Sequence, residues 1–217
     1  MKIVQPYAIP LDLHTREDGI KLLQKIEFAG RVSHRSEFRQ DDESWERFIK
    51  AVVLTHGDWS ITEHASVSVD AVVDRGITHE WVRHRIGAYT QESTRFVNYE
   101  KNVPATFIQP VMTAEDTEYW KVAICAAEAQ YKQLIAGGCP PQIARSVLPN
   151  ALAARLIVTY NLRNWRHFFL MRTSCETHPQ MKQVTIPLLQ QFQQCIPLLY
   201  DDIVPDSRQA TNLKLMR

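Results

Sequence analysis

The segment 79–95 has the densest group of polar and charged side chains in the sequence. It contains Arg83, His84, Arg85 and Arg95. An arginine side chain stays charged at physiological pH, and its planar fork of N–H groups suits phosphate and carboxylate ligands. The segment therefore predicts an anion-binding site, and the alternative interpretation is a basic surface that faces solvent.

The end of this segment combines four kinds of polar group in five consecutive residues. They are Gln91, Glu92, Ser93, Thr94 and Arg95. The hydroxyls and backbone N–H groups of such a loop can donate hydrogen bonds to a phosphate. The same residue types are also typical of a turn that follows a helix. Because no Gly-x-Ser-x-Gly motif surrounds Ser93, serine hydrolase chemistry is not expected.

A second polar cluster lies in 161–172, directly after an apolar stretch. On a helix, Arg163 and His167 are four residues apart and share a face, whereas Phe168 and Phe169 are candidates for the core. This face could bind a ligand or could be structural. Glu63 and His64 form a smaller pair, for which acid–base chemistry and hydrogen-bonded packing are both open.

Charge and composition limit the classes of function. The sequence has 25 Lys and Arg against 24 Asp and Glu, and a formal net charge of +1. Proteins held on nucleic acid by many phosphates usually have a large basic excess, so no nucleic-acid partner is expected. No stretch approaches 18 consecutive apolar residues, so no membrane span is predicted. The N-terminus resembles no secretory signal, which predicts a cytoplasmic protein.

The four cysteines predict reduced thiols and no metal site. They contain no Cys-x-x-Cys pair, and a zinc site needs about three or four ligands. Glycine-rich loops of the Walker and Rossmann types are absent as well.

The length of 217 residues predicts one domain over 1–217 with its own core. The apolar pattern alternates in some segments and has helical spacing in others, so the fold class is α+β, with mixed helices and an antiparallel-type sheet. Strands are predicted at 2–9, 66–73, 95–98, 105–109 and 151–160. Helices are predicted at 15–29, 41–55, 78–86, 113–135, 140–145, 164–172 and 180–200.

The predicted helix 78–86 has a consequence for the cationic segment. Residues two apart do not face the same way on a helix, so Arg83 and Arg85 would point to different sides. One element would then serve two binding regions.

Several blocks together resemble the flavin-dependent thymidylate synthase family. Arg83-His84-Arg85, seven further residues and then Ser93 are similar to its signature. The resemblance extends through 30–33, 75–85, 91–99, 144–149 and 161–163, which follow one another in the order and spacing expected of the family. It covers roughly residues 28–184.

The resemblance implies an enzyme that methylates C5 of dUMP to give dTMP. Methylenetetrahydrofolate would supply the carbon, NADPH would reduce FAD, and the reduced flavin would supply the hydride. The family forms homotetramers whose active sites are built from several subunits. No cysteine nucleophile is required. The alternative is a module that binds nucleotides or single-stranded nucleic acid without turnover, since Trp81 and Tyr89 lie beside the cations.

The resemblance also implies roles for individual residues. Those carried over to dUMP are Glu80, Arg83, Gln91, Glu92, Ser93, Thr94, Arg95, Arg145 and Arg172. Those carried over to FAD are Ser33, Ser60, Arg83, His84, Arg85, Gln91, Asn161, Arg163 and His167. Arg172 would be the catalytic group, which polarises the uracil ring and favours its N3-ionised form.

Overall fold

The structure is a computed structural model that describes residues 1–101 and 103–206. The α-helices are α1 Arg16–Val32, α2 Ser44–Phe48, α3 Arg75–Trp81, α4 Ala114–Ala136, α5 Pro141–Ala144, α6 Leu162–Arg172 and α7 Pro179–Cys195. A π-helical turn spans Ile49–Thr55, and short 3₁₀ helices span Glu37–Arg39, Trp59–His64 and Arg145–Val147. The strands are β1 Lys2–Ile3, β2 Tyr7–Pro10, β3 Ser66–Asp74, β4 Ala88–Gln91, β5 Thr106–Phe107 and β6 Ala153–Asn161.

Helices and strands are mixed along the chain, which confirms the predicted α+β class. Four strands form a sheet in the order β2-β3-β6-β4, and β1 pairs with β5 in a separate two-stranded sheet. Antiparallel pairing is present, as predicted, but the small sheet is parallel, with Lys2 opposite Thr106. None of the described helices is both long enough and apolar enough to cross a lipid bilayer.

The residue contacts group the chain into two compact units. Unit 1 comprises Met1–Tyr7, Ala71–Arg83 and Tyr89–Ile157, and unit 2 comprises Ala8–Asp70, His84–Ala88 and the chain from Val158 onward. The single domain over 1–217 stays a prediction.

Unit 2 contains a core of aromatic side chains. Trp165, Phe168 and Phe169 from α6 pack with Phe192 from α7 and with Tyr200, and all five are at most 1% exposed. The ring centroids of Trp165 and Phe169 are 5.6 Å apart. This core fixes the position of α6, which carries several candidate site residues.

A second core lies in unit 1, beneath the candidate anion-binding loop. Its buried side chains include Tyr99, Phe107, Ile124 and Tyr131. Ile124 and Tyr131 come from α4. Trp120 and Leu134, which are on the same helix and partly buried, also pack against this cluster.

Local sequence explains where several elements begin. The Thr15 side chain accepts from the Asp18 N–H while the Asp18 carboxylate accepts from the Thr15 N–H, which is a capping box at the start of α1. Pro141 occupies the first turn of α5, where its missing N–H costs nothing. The predicted helices 15–29 and 140–145 begin close to these positions.

The predicted helix 78–86 is wrong in both bounds. Asp74 caps α3 by accepting from the Ile77 N–H at 3.0 Å, so the helix begins at Arg75. It ends at Trp81, before the Arg83-His84-Arg85 motif. A Cβ on Gly87 would lie 2.2 Å from the Tyr160 ring, so residues 84–88 follow a close path over that ring, which a side chain at 87 would block. The motif is therefore not helical, and the argument from opposite helix faces does not apply.

Other predicted bounds also need correction. Residues 95–98 contain no strand, since 94–96 form a turn, and β4 was missed. The predicted 2–9 strand is two strands separated near Pro6, and the predicted 180–200 helix ends at Cys195, before Pro197. At this end Ile196, which precedes Pro197, has left the helical conformation with φ −110° and ψ 89°, although α7 continues through the internal Pro187.

Candidate active site

In unit 2, the structure brings Arg172 and His84 into direct contact. The Arg172 Nε–H donates to His84 Nε2 at 2.9 Å. Arg172 is the last residue of α6, and its carbonyl oxygen accepts from Thr185 Oγ1 at 2.7 Å. Backbone and guanidinium are therefore both held, and His84 must present an unprotonated Nε2 to this donor.

The surroundings of His84 keep its ring neutral. Burial first, and then the positive charge of Arg172 and the neighbouring His167, lower the pKa of His84 to about 4. Its ring packs edge-on against Phe168 with centroids 5.0 Å apart, and its centroid lies 5.8 Å from that of His167. At neutral pH the hydrogen-bonded pair of His84 and Arg172 therefore carries a single positive charge, on Arg172.

This pKa predicts an acid sensitivity that belongs to His84. The folded chain binds the proton near pH 4 and the unfolded chain near pH 6.5, so the His84 contribution to stability is complete above pH 6.5. It is lost as the pH falls toward 4. Between pH 7 and pH 5 we expect a loss of about 1 kcal/mol, allowing for solvent screening of a half-exposed ring.

Urea unfolding of wild type and His84→Gln at both pH values measures this loss. Glutamine can accept a hydrogen bond but does not titrate, so the variant should lose less stability on acidification. The matched control is His56→Gln, at an exposed histidine. If His84→Gln and His56→Gln show the same acid loss as wild type, His84 does not have this role.

Two predicted flavin residues also lie on α6. The Asn161 side chain caps the helix by accepting from the Asn164 N–H at 2.8 Å. Arg163 Nη1 pairs with Glu63 Oε1 at 2.6 Å, and both side chains are about half exposed. Glu63 is thus an ion-pair partner, and the acid–base role considered for it has no geometric support.

The remaining predicted flavin residues of unit 2 occupy exposed positions. Ser60 lies on the 3₁₀ helix Trp59–His64, which packs against α6. Ser33 caps the end of α1, and its hydroxyl donates to the Gly30 carbonyl oxygen at 2.9 Å. Arg85 is exposed, and Asn164 Nδ2 donates to the Ile86 carbonyl oxygen at 3.1 Å, which ties this segment to α6.

In unit 1, Arg145 and Thr94 line a common cavity of about 280 Å³. Arg145 Nη1 donates to Thr94 Oγ1 at 3.0 Å. The remaining lining residues are Arg75, His79, Ser146, Leu148, Pro149, Asn150 and Leu152. The lining thus carries two guanidinium groups, an imidazole and two hydroxyls without a carboxylate, which suits an anion.

The 91–95 loop is attached to its surroundings at several points. Gln91 Nε2 donates to Thr78 Oγ1 at 3.1 Å, and Arg95 Nε donates to Gln142 Oε1 at 3.2 Å. The Arg95 N–H also donates to Ser93 Oγ at 3.3 Å. The stretch therefore forms a turn, which follows β4 rather than a helix. Arg95 is exposed and Ser93 partly exposed at the surface of unit 1, whereas Thr94 is buried beside Arg145.

The two predicted ligand sets separate between the units. Eight of the dUMP candidates lie in unit 1: Glu80, Arg83, Gln91, Glu92, Ser93, Thr94, Arg95 and Arg145. Unit 2 contains Ser33, Ser60, His84, Arg85, Asn161, Arg163, His167 and Arg172. Unit 1 therefore contains the dUMP candidates other than Arg172, and unit 2 contains the FAD candidates other than Arg83 and Gln91, which belong to both sets.

Three residues at these sites received no role from the sequence. Arg75 and His79 line the cavity beside Arg145, and Tyr99 donates to Glu92. Asp74 is a residue type that caps helices, and Arg75 follows it directly. A helix that begins at Arg75 would have placed Arg75 and His79, which are four residues apart, on the same face of α3. Nothing local marks Tyr99, because its partner lies seven residues earlier.

Within the described residues, no group of three or more His, Cys, Asp or Glu side chains could hold a metal ion. The cysteines Cys125, Cys139, Cys175 and Cys195 are free thiols.

Comparison with known proteins gives consistent matches over most of the chain. The family model described as "Thymidylate synthase complementing protein" matches residues 21–198. The flavin-dependent thymidylate synthases of Pyrococcus abyssi and Pyrococcus furiosus are each 34% identical over 182 residues, covering 78% of this chain and 74% of the relative. That of Mycobacterium avium is 32% identical over 198 residues, covering 82% of this chain and 78% of the relative.

Proposed function

Because the chain belongs to the thymidylate synthase complementing protein family, we propose that it is a flavin-dependent enzyme that methylates dUMP at C5 to give dTMP. The observation that carries this proposal is the family match over 21–198, which includes every candidate site residue of both units. Methylenetetrahydrofolate is the proposed carbon donor, and NADPH is the proposed reductant.

The unit 2 residues fit an FAD cofactor by the chemistry of their side chains. Arg85 is exposed and can offer positive charge to a pyrophosphate. Arg163 is about half exposed and ion-paired with Glu63, so it would offer the N–H groups that Glu63 does not engage. Asn161, Ser60 and the imidazole of His167 add polar groups near α6. When bound and reduced, the flavin supplies the hydride that completes the methyl group.

The unit 1 residues fit a pyrimidine nucleotide monophosphate. Arg145 and Thr94 line a cavity free of carboxylates, and Ser93 and Arg95 lie on the same loop. We assign the phosphate and sugar of dUMP to these groups. Glu80 and Gln91 complete the proposed nucleotide set, and Arg83 serves both ligands.

Arg172 is the proposed catalytic residue. For C5 to attack an electrophilic carbon, electron density must move into the uracil ring, and negative charge then develops on the ring oxygens and N3. A fixed guanidinium stabilises that charge, and in this chain it is oriented by the neutral His84. Because Arg172 would activate the ring electrostatically, this mechanism needs no cysteine nucleophile.

The proposal includes assembly as a homotetramer with active sites built from several subunits. Residues from the two units can then serve one active site through different copies of the chain. The four free thiols support a cytoplasmic location, since cysteines there stay reduced.

The nucleic-acid alternative has lost one of the two aromatic residues that motivated it. Trp81 is fully buried and therefore offers no surface on which a base could stack. Tyr89 donates its hydroxyl to the Trp81 carbonyl oxygen at 3.2 Å. We propose small-molecule substrates and no nucleic-acid or membrane partner.

An absorbance spectrum of the purified protein, before and after addition of NADPH and dUMP, tests the proposal. The oxidised protein should show flavin bands that bleach on reduction. Product analysis should then give dTMP only when methylenetetrahydrofolate, NADPH and FAD are all present. A protein that cannot bind added FAD, or that binds it without forming dTMP, contradicts the proposed activity.

A further inference from the structure

We propose that Tyr99 and Glu92 are a positioning pair that fixes the 91–95 loop, and that the Glu92 carboxylate is not itself a nucleotide ligand. The identity of the nucleotide rests on the proposed function. The pair itself is a feature of unit 1, and it changes the role that resemblance assigns to Glu92.

The carboxylate of Glu92 is engaged on both oxygens. Tyr99 Oη donates to Glu92 Oε1 at 2.6 Å, and the Arg155 N–H donates to Oε2 at 3.4 Å. A separation of 2.6 Å is typical of a hydroxyl that donates to an ionised carboxylate. The backbone N–H of Glu92 also donates to the Arg155 carbonyl oxygen at 2.8 Å. The side chain and backbone of Glu92 are therefore both directed toward the protein.

Tyr99 is in turn held by the unit 1 core. It is 4% exposed, and its backbone N–H donates to Tyr131 Oη at 3.2 Å. The two rings meet edge to face with centroids 6.0 Å apart, and Tyr131 is 1% exposed. Burial, followed by the Glu92 carboxylate, raises the pKa of Tyr99, so the hydroxyl stays protonated and remains a donor.

Electrostatics favours an anchoring role over ligand binding. A carboxylate beside a phosphate dianion is repulsive, whereas a carboxylate that accepts from a buried tyrosine is stabilised. The donors that suit a phosphate come from the next three residues, Ser93, Thr94 and Arg95. Because Glu92 directly precedes these donors, fixing Glu92 fixes the position of the first of them. Arg145 in addition donates a hydrogen bond to the Thr94 hydroxyl.

The first experiment compares steady-state kinetics of the FAD-loaded variants. Removing the hydroxyl in Tyr99→Phe should raise KM for dUMP about tenfold while kcat changes less than about twofold, since uniform binding is lost. Glu92→Ala should raise KM similarly, and the double variant should be no worse than Glu92→Ala. Glu92→Gln keeps an acceptor for Tyr99 and should raise KM less than Glu92→Ala.

Tyr131→Phe is the matched control. It also removes a hydroxyl from a buried tyrosine of the same core. That hydroxyl accepts from the Tyr99 backbone N–H but does not contact Glu92, so Tyr131→Phe loosens Tyr99 while it leaves the hydrogen bond between Tyr99 and Glu92 in place. It should lower the thermal midpoint as Tyr99→Phe does, with a much smaller change in KM. If Tyr99→Phe does not fold, Glu92→Ala tests the same hydrogen bond from its less buried side.

Hydrogen exchange gives a readout that needs no turnover. In the ligand-free protein, the backbone amides of 92–97 should exchange faster in Tyr99→Phe than in wild type or Tyr131→Phe. Failure of the wild type to convert dUMP would overturn the proposed function and leave this comparison to decide the positioning pair. Unchanged exchange in Tyr99→Phe, an equal rise of KM in Tyr131→Phe, or a KM in Glu92→Gln as high as in Glu92→Ala would overturn the positioning pair.

Discussion

Replacing Arg172 by alanine is expected to lower kcat for dTMP formation about 100- to 1,000-fold while the protein still binds FAD. Removing a preorganised group that stabilises developing charge typically has an effect of this size. The guanidinium is well placed for such a role, because it is held by His84 Nε2 at 2.9 Å and lies at the end of an anchored helix. The measurement is single-turnover dTMP formation, with flavin content read from absorbance.

Two variants separate the proposed role of Arg172 from a general loss of charge. Arg172→Lys keeps a positive charge but lacks the planar fork, so it should recover only part of the lost rate. Arg39→Ala removes an exposed arginine of the same unit and should leave turnover unchanged. Full turnover in Arg172→Ala would refute the assignment, as would a rate loss that only follows a loss of bound FAD.

The elements with strong local signals could be predicted from the sequence. The alternation of Val67, Val69, Ala71 and Val73 predicted a strand, and these four side chains are at most 1% exposed on one face of β3. The opposite face of the strand is not wholly exposed, because Asp70 is also buried. The spacing of apolar residues and the helix-capping residues act within a few positions of the chain, so their effects can be predicted without knowledge of the tertiary structure.

The end of α3 shows why other elements could not be predicted. Nothing between Trp81 and Ile86 breaks a helix by itself, and the pattern favoured continuation. What decides the path is the close approach of Gly87 to the Tyr160 ring, a contact between residues 73 positions apart. Tertiary contacts of this kind override local helix propensity.

In the candidate site, too, some features could be predicted from neighbouring residues and others depend on contacts between residues far apart in the sequence. The Arg83-His84-Arg85 motif and the 91–95 loop were identified from residue type and spacing. The hydrogen bond between Arg172 and His84 joins residues 88 positions apart, and the anchoring of Glu92 depends on a buried tyrosine. Residue types could identify these groups as candidates. Only the fold shows that the His84 imidazole accepts a hydrogen bond from the Arg172 guanidinium.

The largest expected effect on substrate affinity belongs to Arg145. Replacing it by alanine should raise KM for dUMP about 100-fold with a much smaller change in kcat, since a charged hydrogen bond to an anion is lost. Arg145 lines the cavity of about 280 Å³ and donates to Thr94 Oγ1 at 3.0 Å. The measurement is steady-state kinetics at fixed salt, with Arg145→Lys as the variant that preserves charge.

Binding of deoxyuridine identifies the part of the substrate that Arg145 recognises. This nucleoside lacks the phosphate, so its affinity should be nearly the same for wild type and Arg145→Ala, while the preference of wild type for dUMP over deoxyuridine should largely disappear in the variant. An equal loss of affinity for both ligands would assign Arg145 to the sugar or the base. In that case the positive charge of the cavity would have to act on the phosphate through Arg75, the other guanidinium of its lining.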